Sequence, residues 1–214
     1  MNIGIIGAGA LGANLAKALA NKGLSAMISN SRGPESLRAT LEKLGPTIKA
    51  VTTAEAAKAD IVVLAVRWVD LPAVLAGLPA WKDRIVIDGT NPVAFLDPDS
   101  PDAKDPNNPL AQYGIKAVDL GGRLSSEVVS ELVPGARLVK AFNHFNSELL
   151  PQPDVSGGRR VLFYSGDDVA AKTDVRTLIE QLGLFPVDLG QLKVGGALST
   201  LPFGSLGDIN FIKI

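Results

Sequence analysis

The segment NIGIIGAGALG, at residues 2–12, constrains the fold more than any other part of the chain. An apolar run ends there in the spacing G-x-G-x-x-G, and an Ala- and Leu-rich run follows as far as Gly23. This order predicts a strand, a tight turn and a helix. In such units the glycines allow the turn, the approach of a pyrophosphate, and close packing of helix on strand. Free N–H groups at the helix start bind the anion. The predicted dinucleotide-binding loop comprises Gly7, Ala8, Gly9, Ala10, Leu11 and Gly12.

Strand-like and helix-like segments alternate along most of the sequence. Apolar runs such as DIVVLAV and RIVID are separated by helical patterns such as PESLRATLEKLG and SEVVSELV. Alternation of this kind predicts an α/β fold, a Rossmann-type, doubly wound, mostly parallel sheet with helices on both faces. We predict a nucleotide-binding domain at residues 1–150. A small C-terminal α/β annex at 151–214 is expected to supply an acceptor pocket, a dimer contact, or both.

Composition excludes several classes of function. The formal net charge of -1 gives no overall field towards nucleic acid or an anionic membrane. The chain has no cysteine and one histidine, which excludes thiol chemistry and a multi-histidine metal site, and no metal is predicted. Neither a membrane span nor an N-terminal targeting pattern is recognisable, so a cytoplasmic location is expected. The expected partners are a small hydride acceptor or donor and a second copy of the chain, as a homodimer.

The residues after the second predicted strand indicate which dinucleotide is bound. A carboxylate in this place would accept hydrogen bonds from a ribose 2′-hydroxyl but would repel a 2′-phosphate. No Asp or Glu occurs between Met1 and Pro34, and the strand ends instead in Asn30, Ser31 and Arg32. A hydroxyl, an amide and a planar cation can all donate hydrogen bonds to a phosphate. The sequence therefore predicts NADP(H), with an ordinary exposed arginine as the alternative for Arg32.

Several segments together resemble one known family. The stretches IGIIGAGALGANLAKALANKG, SNSRGPESL, IVVLAV, DGTNP and LVKAFN are similar to the coenzyme F420-dependent NADP oxidoreductases over roughly residues 1–190. Relatives include the NADPH-oxidising domain of ferric reductases and the N-terminal domain of pyrroline-5-carboxylate reductase. The resemblance implies hydride transfer between NADPH and a flavin or deazaflavin (F420-like) ring. It implies a 2′-phosphate site at Ser31 and Arg32, a nicotinamide-ribose border at Ala65 and Val66, a nicotinamide pocket at Asn91 and Pro92, and a surface for the second ring at Ala141, Phe142 and Asn143.

No catalytic acid–base pair is evident from the sequence. The Tyr-x-x-x-Lys spacing of short-chain dehydrogenases is absent, which agrees with a reaction that depends on holding two rings together. His144 follows KAFN and is the candidate catalytic residue, as a proton donor or a hydrogen-bond partner of a ring carbonyl; a half-buried structural role is the alternative. Arg67 is predicted either near the cofactor or in a surface salt bridge, and Trp68 either at the nicotinamide or in the core.

Other functions stay open at this point. A small carbonyl or imine could replace the second ring, although pyrroline-5-carboxylate reductases add a helical domain for which residues 151–214 are too few. A non-catalytic NADP(H) sensor would keep the glycine loop and Arg32 without a second pocket. Residues 97–109, rich in Pro and Asp, are predicted to form a solvated connector or a lid. The apolar C-terminal residues could cap the site, pack on the core or contact a second subunit.

Overall fold

A computed structural model describes residues 2–214 and contains a ten-stranded, mainly parallel sheet. The apolar runs that predict strands form strands, because β-branched and leucine side chains there are buried on both faces. The strands are β1 Ile3–Ile6, β2 Ala26–Ser29, β3 Ile48–Ala50, β4 Ile61–Leu64, β5 Ile85–Asp88, β6 Val93–Phe95, β7 Ile115–Ala117, β8 Arg137–Ala141, β9 Asp154–Val155, β10 Gly158–Gly166, β11 Phe185–Asp188 and β12 Ile212–Lys213.

Helices connect these strands in the predicted order. They are α1 Ala10–Asn21, α2 Arg38–Leu44, α3 Thr53–Ala56, α4 Leu71–Leu75, α5 Ser125–Leu132, α6 Val169–Gln181 and α7 Ala197–Ser199. Single turns of 3₁₀ helix occur at Pro34–Leu37, Trp68–Asp70, Pro101–Lys104, Ala111–Tyr113 and Ser147–Leu149, and a π-helical turn at Leu192–Gly196. The predicted helix after Pro34 therefore starts as a 3₁₀ turn and becomes α-helical only at Arg38.

The main sheet has the order β11-β10-β8-β5-β4-β1-β2-β3. Neighbours from β3 to β8 are parallel, β10 is antiparallel to β8, and β11 is parallel to β10. The Rossmann-type fold with a mostly parallel sheet is confirmed. Strands from the C-terminal region extend this same sheet; the division at residue 150 stays a prediction.

Two apolar clusters cover the two faces of the sheet. Successive residues of one strand alternate between them, so that Ile5 and Val63 contact one cluster and Ile6 and Val62 the other. The first cluster includes residues of α1 and α6, and the second residues of α3, α4 and α5. Helices thus lie on both faces, and the carboxyl ends of β1, β4, β5 and β8 meet at one edge.

Residues 93–117 depart from the strand–helix alternation. β6 and β7 form a separate antiparallel ribbon, which the sequence analysis did not predict, and they flank the Pro- and Asp-rich segment 97–109. The structure places this segment as a surface excursion with one 3₁₀ turn. Among residues 2–214, no helix has both the length and the apolar character that crossing a membrane requires.

Candidate functional site

The glycine loop has the geometry that its spacing predicts. Gly7 has φ +110°, and a Cβ atom there would lie 2.3 Å from the Ala65 carbonyl oxygen. A Cβ atom on Gly12 would lie 1.9 Å from the Gly7 carbonyl oxygen, so helix and turn are in direct contact. A Cβ atom on Gly9, by contrast, would meet no atom of residues 2–214 within 4 Å. Packing therefore requires glycine at positions 7 and 12. At Gly9 the lack of a side chain instead leaves the adjacent space unoccupied.

The start of α1 faces that open space. Gly9 precedes the helix in an extended conformation, and among the described residues no side chain caps it and no acidic residue lies in its first turn. The first N–H groups of a helix have no partner within the helix and carry its positive dipole end. This end of α1 can therefore bind an anion.

A cleft of about 780 Å³ lies beside the glycine loop. It brings together nine of the residues predicted from sequence, and it extends along the carboxyl ends of β1, β2 and β4. These nine are Gly7, Ala8, Gly9, Asn30, Ser31, Arg32, Ala65, Val66 and Arg67. Of the loop residues, Ala10, Leu11 and Gly12 lie outside the cleft lining.

Ser31 and Arg32 are exposed at the rim of this cleft. The Asn30 amide holds their loop in place, since its Oδ1 accepts from the Arg32 N–H at 3.0 Å and its Nδ2 donates to Ser36 Oγ at 2.9 Å. Within residues 2–214 the Arg32 guanidinium forms no ion pair. A cation without a carboxylate partner is available for an anionic ligand.

Arg67 also lines the cleft and is already paired. Its Nε donates to Asp70 Oδ2 at 2.7 Å, and its Nη2 donates to Asp70 Oδ1 at 3.3 Å. The carboxylate beside it raises the pKa of Arg67 above its usual value. The surface salt bridge, one of the two alternatives for Arg67, is therefore present, and it lies in the cleft wall. Trp68 is buried in the core cluster.

The cleft also contains residues that sequence reasoning missed. Thr53 opens α3 directly after β3, and Ala73, Val74 and Leu78 lie in or just after α4. Their apolar side chains can pack against a flat base. The position of these residues in the sequence could have identified them. They follow strands whose carboxyl ends meet at the glycine loop, where doubly wound sheets bind ligands.

A second pocket, of about 430 Å³, lies beside Pro92. We call it the tail pocket, because one wall is formed by C-terminal residues 200–204 and the other by residues 117–125. Val118, Leu120, Leu201 and Pro202 give it an apolar lining. The apolar C-terminal residues thus form one wall of this cavity, next to the predicted nicotinamide pocket.

The buried Asn143 and the partly buried Asn91 form an amide pair beside the tail pocket. Asn91 Nδ2 donates to the Asn143 carbonyl oxygen at 2.7 Å, and Asn143 Nδ2 donates to Asn91 Oδ1 at 3.0 Å. Each amide also binds the tail: the Leu201 N–H donates to Asn91 Oδ1 at 2.9 Å, and Asn143 Nδ2 donates to the Ser199 carbonyl oxygen at 2.9 Å. The loops after β5 and β8 are thereby joined to the C-terminal segment.

A buried ion pair fixes the residue before Asn91. Lys140 and Asp88 have fully buried side chains, with Nζ 2.8 Å from Oδ2. Lys140 Nζ also donates to the Thr90 carbonyl oxygen at 2.9 Å, and Asp88 Oδ1 accepts from the Thr90 N–H and hydroxyl. A buried charge pair needs such additional hydrogen bonds to offset desolvation. The turn leading to Asn91 and Pro92 is therefore rigidly held.

His144 is enclosed by the protein. Its side chain is 1% exposed and lies between the rings of Phe145 and Phe163. Nε2 accepts from the Phe163 N–H at 3.0 Å, and burial lowers the pKa of His144 to about 4. A neutral imidazole bound to backbone, lining neither cavity, favours the structural alternative; its catalytic role stays a prediction without support from this geometry.

Ala141, Phe142 and Asn143 are buried as well, with 0%, 1% and 5% exposure. None of them lines the cleft or the tail pocket. Phe142 has φ +68°, a strained conformation for a bulky residue, and its ring packs in the core. Direct contact between these side chains and a second ring therefore stays a prediction. Of the predicted ring-site residues after β5, only Pro92 lines the tail pocket.

Comparisons with known proteins agree with this geometry. The family profile described as NADP oxidoreductase, coenzyme F420-dependent, matches residues 2–92. The crystal structure of the hypothetical protein SMa0349 from Sinorhizobium meliloti is 39% identical, with a TM-score of 0.87, and the match covers 100% of this chain and 97% of that one. A putative F420-dependent NADP reductase from Arthrobacter sp. FB24 is 28% identical, with a TM-score of 0.69, over 90% of this chain and 86% of that one.

One curated relative is much longer than this chain. The metalloreductase STEAP3 of Rattus norvegicus is 24% identical over 202 residues, which are 94% of this chain and 36% of that protein. The chain therefore spans about a third of the length of this relative.

Proposed function

We propose that this chain is an NADP-dependent oxidoreductase of the coenzyme F420-dependent group, whose profile matches residues 2–92, and that it transfers hydride between NADP(H) and a flavin or deazaflavin ring. The observation that carries the proposal is a pair of cavities lined by residues that follow the carboxyl ends of sheet strands. One is a cleft rimmed by Arg32, which forms no ion pair within residues 2–214, and the other is a largely apolar pocket beside Pro92.

The residues of the cleft fit NADP(H). Gly9 leaves room where a pyrophosphate would approach, and the start of α1 offers N–H groups to it. Ser31 and Arg32 would hold the 2′-phosphate. Ala65 and Val66 would border the nicotinamide ribose, because they follow β4 beside the glycine loop. When bound, NADPH supplies the hydride.

The tail pocket suits a flat, largely apolar acceptor. Its lining is largely apolar but includes Asp119 and Arg123, and the hydroxyls of Ser125 and Thr200 lie 3.3 Å apart within it. Pro92 belongs to this pocket, while the neighbouring Asn91 is fixed by the amide pair. A rigid wall at this place would hold an acceptor ring against the nicotinamide, and orientation is the main requirement of ring-to-ring hydride transfer.

The structure does not favour a side chain as a proton donor to the acceptor. His144 is buried and neutral, and its Nε2 is already engaged by backbone. Reduction of a carbonyl or imine needs a placed proton donor, whereas transfer between two rings needs little separate acid–base work. This difference favours a ring acceptor over a small carbonyl or imine.

The direct test is turnover by the purified protein. NADPH is mixed with FMN, FAD or F420, and the absorbance of reduced nicotinamide is followed, with NADH as the matched cofactor control. We expect loss of absorbance with one ring, faster with NADPH than with NADH. Tight NADPH binding without turnover of any ring would contradict the proposal and indicate a sensor. Turnover only with a small imine or carbonyl would indicate the other alternative.

A further inference from the structure

We propose that Asn91 and Asn143 are positioning residues that hold the C-terminal segment Ser199–Leu201 as a wall of the acceptor site, and so set the affinity for the acceptor without affecting that for NADPH. This inference rests on the proposed function, because it takes the tail pocket as the acceptor site. It assigns the two amides a role other than contact with a ring.

The Asn91 amide both donates and accepts, whereas the Asn143 amide acts as a donor and its Oδ1 has no hydrogen-bond partner among the described residues. Asn91 Oδ1 accepts two hydrogen bonds, from the Leu201 N–H and from Asn143 Nδ2, while its Nδ2 donates to the Asn143 carbonyl oxygen. Asn143 Nδ2 donates twice, to Asn91 Oδ1 and to the Ser199 carbonyl oxygen. Both side chains therefore use an NH₂ donor, which an ionised carboxylate lacks. Neither residue can therefore be replaced by a carboxylate without loss.

The segment that they hold is in contact with the pocket itself. Thr200 and Leu201 line the tail pocket, and the preceding Ser199 is 3% exposed. Residues 203 and 204 continue the same wall, and the Phe203 side chain is 75% exposed. The wall thus has an anchored base at the amide pair and a free rim. Without the anchor, the pocket would lose the shape of one side.

The anchor is separate from the NADP cleft. Neither Asn91 nor Asn143 lines that cleft, and nor does any residue of the tail. The cleft is built from residues 6–78, and its phosphate-binding groups lie at Gly9 and Arg32. Releasing the tail should therefore raise the KM for the acceptor and leave the Kd for NADPH unchanged.

Isosteric substitutions give a graded test. Asn91→Asp keeps the acceptor for the Leu201 N–H but loses the donor to the Asn143 carbonyl. Asn143→Asp loses both donated bonds and places a carboxylate against two oxygens. We expect the acceptor KM to rise about threefold for Asn91→Asp and about tenfold or more for Asn143→Asp, since a tenfold change corresponds to one or two lost hydrogen bonds. The Kd for NADPH should change less than about twofold.

Asn108→Ala is the matched control. Asn108 also bridges backbone with both ends of its amide, to the Ile115 carbonyl and the Leu110 N–H, but it lies outside both cavities. The KM of Asn108→Ala for the acceptor should equal that of the wild-type protein. Hydrogen exchange of the Leu201 amide should accelerate in Asn143→Asp and not in Asn108→Ala.

The outcomes separate this inference from the proposed function. If the wild-type protein reduces no ring, both the proposed function and this inference are overturned. An active protein whose Asn143→Asp variant keeps its acceptor KM overturns only the inference. Should Asn143→Asp fail to fold, Asn91→Asp and the smaller Asn91→Ser take its place, and unchanged acceptor KM in both overturns the inference equally. A parallel loss of NADPH affinity would also contradict it.

Discussion

The cleft draws its lining from residues 6–78, whereas the tail pocket joins Pro92 to residues 117–125 and 197–204. In the cleft, the groups predicted to bind the ligand are a glycine turn, a helix start and the rim residues Ser31 and Arg32, each defined by a few consecutive residues. In the tail pocket, the shape depends on side-chain bonds such as Asn91 to Leu201, which are 110 positions apart. Local sequence therefore specifies the first cavity, and tertiary packing specifies the second.

The largest expected effect is the loss of NADPH binding in Gly9→Val. A side chain there would project into the cleft, while the fold has open space for it and the extended backbone accepts valine. We expect NADPH affinity to fall at least about 100-fold, since several anion-binding N–H groups are blocked. Calorimetric titration measures the affinity, and a melting temperature close to that of the unchanged protein shows that folding is intact.

Gly12→Ala is the contrasting variant for this test. Its Cβ atom would lie 1.9 Å from the Gly7 carbonyl oxygen, so stability should fall, by about 1–3 kcal/mol for overpacking. If Gly9→Val were instead the less stable protein of the two, the assignment of Gly9 to the ligand would be wrong.

Lys140→Met tests the contribution of the buried Lys140–Asp88 ion pair to stability. It leaves the fully buried Asp88 carboxylate without its cation, and we expect the free energy of unfolding to fall by about 3–5 kcal/mol. Denaturant unfolding measures this loss. The double variant Asp88→Asn with Lys140→Met should recover part of it, because no unpaired charge is left.

Lys172→Met provides the matched comparison for the ion pair. Lys172 and Asp188 pair at 2.9 Å, but the Asp188 side chain is 40% exposed. We expect a loss below about 1 kcal/mol. Equal losses in the two variants would contradict a special role for the buried pair.

Arg32→Glu tests which phosphate the cleft binds. Removing a charged hydrogen bond and adding repulsion should weaken NADPH binding by about 2–4 kcal/mol, and NADH binding much less. Titration with both cofactors measures the difference. Arg38→Glu is the control, because Arg38 pairs with Glu35 on the surface and lies outside the cleft. Equal losses of NADPH and NADH in Arg32→Glu would refute a 2′-phosphate site.

The last prediction concerns pH. Burial lowers the pKa of His144 from 6.5 to about 4, so the unfolded chain binds this proton more readily than the folded protein between those values. Stability from this group is complete above pH 6.5 and is lost as pH falls towards 4. From pH 7 to pH 5 we expect a loss of about 2 kcal/mol.

His144→Gln isolates this contribution from that of the carboxylates. Glutamine can accept from the Phe163 N–H but does not titrate, so the stability of the variant should fall less between pH 7 and pH 5 than that of the wild-type protein. Turnover between pH 6 and pH 8 should show no inflection from His144. An inflection there that disappears in His144→Gln would restore His144 as a proton donor.

The sequence signals for the residues that line the cleft are local. The spacing of Gly7, Gly9 and Gly12 and the absence of acidic residues before Pro34 can be recognised without any contact map. The β6–β7 ribbon was missed, since its three-residue strands carry little periodicity and pair only with each other. The burial of Phe142 at φ +68° and the pairing of Asn91 with Asn143 depend on contacts between distant strands. Such contacts leave no trace in neighbouring residues.

The hydrogen bonds from β8 to β10 have a consequence for how ligands enter and leave. Lys140 pairs with Ser165 in an uninterrupted antiparallel ladder between β8 and β10. A hinge motion that separated the strands on either side of this ladder would break its hydrogen bonds. We therefore expect opening to come from short peripheral segments. Exchange of reactants would then be governed by small, fast rearrangements near Phe203, and it would need no slow rigid-body rotation.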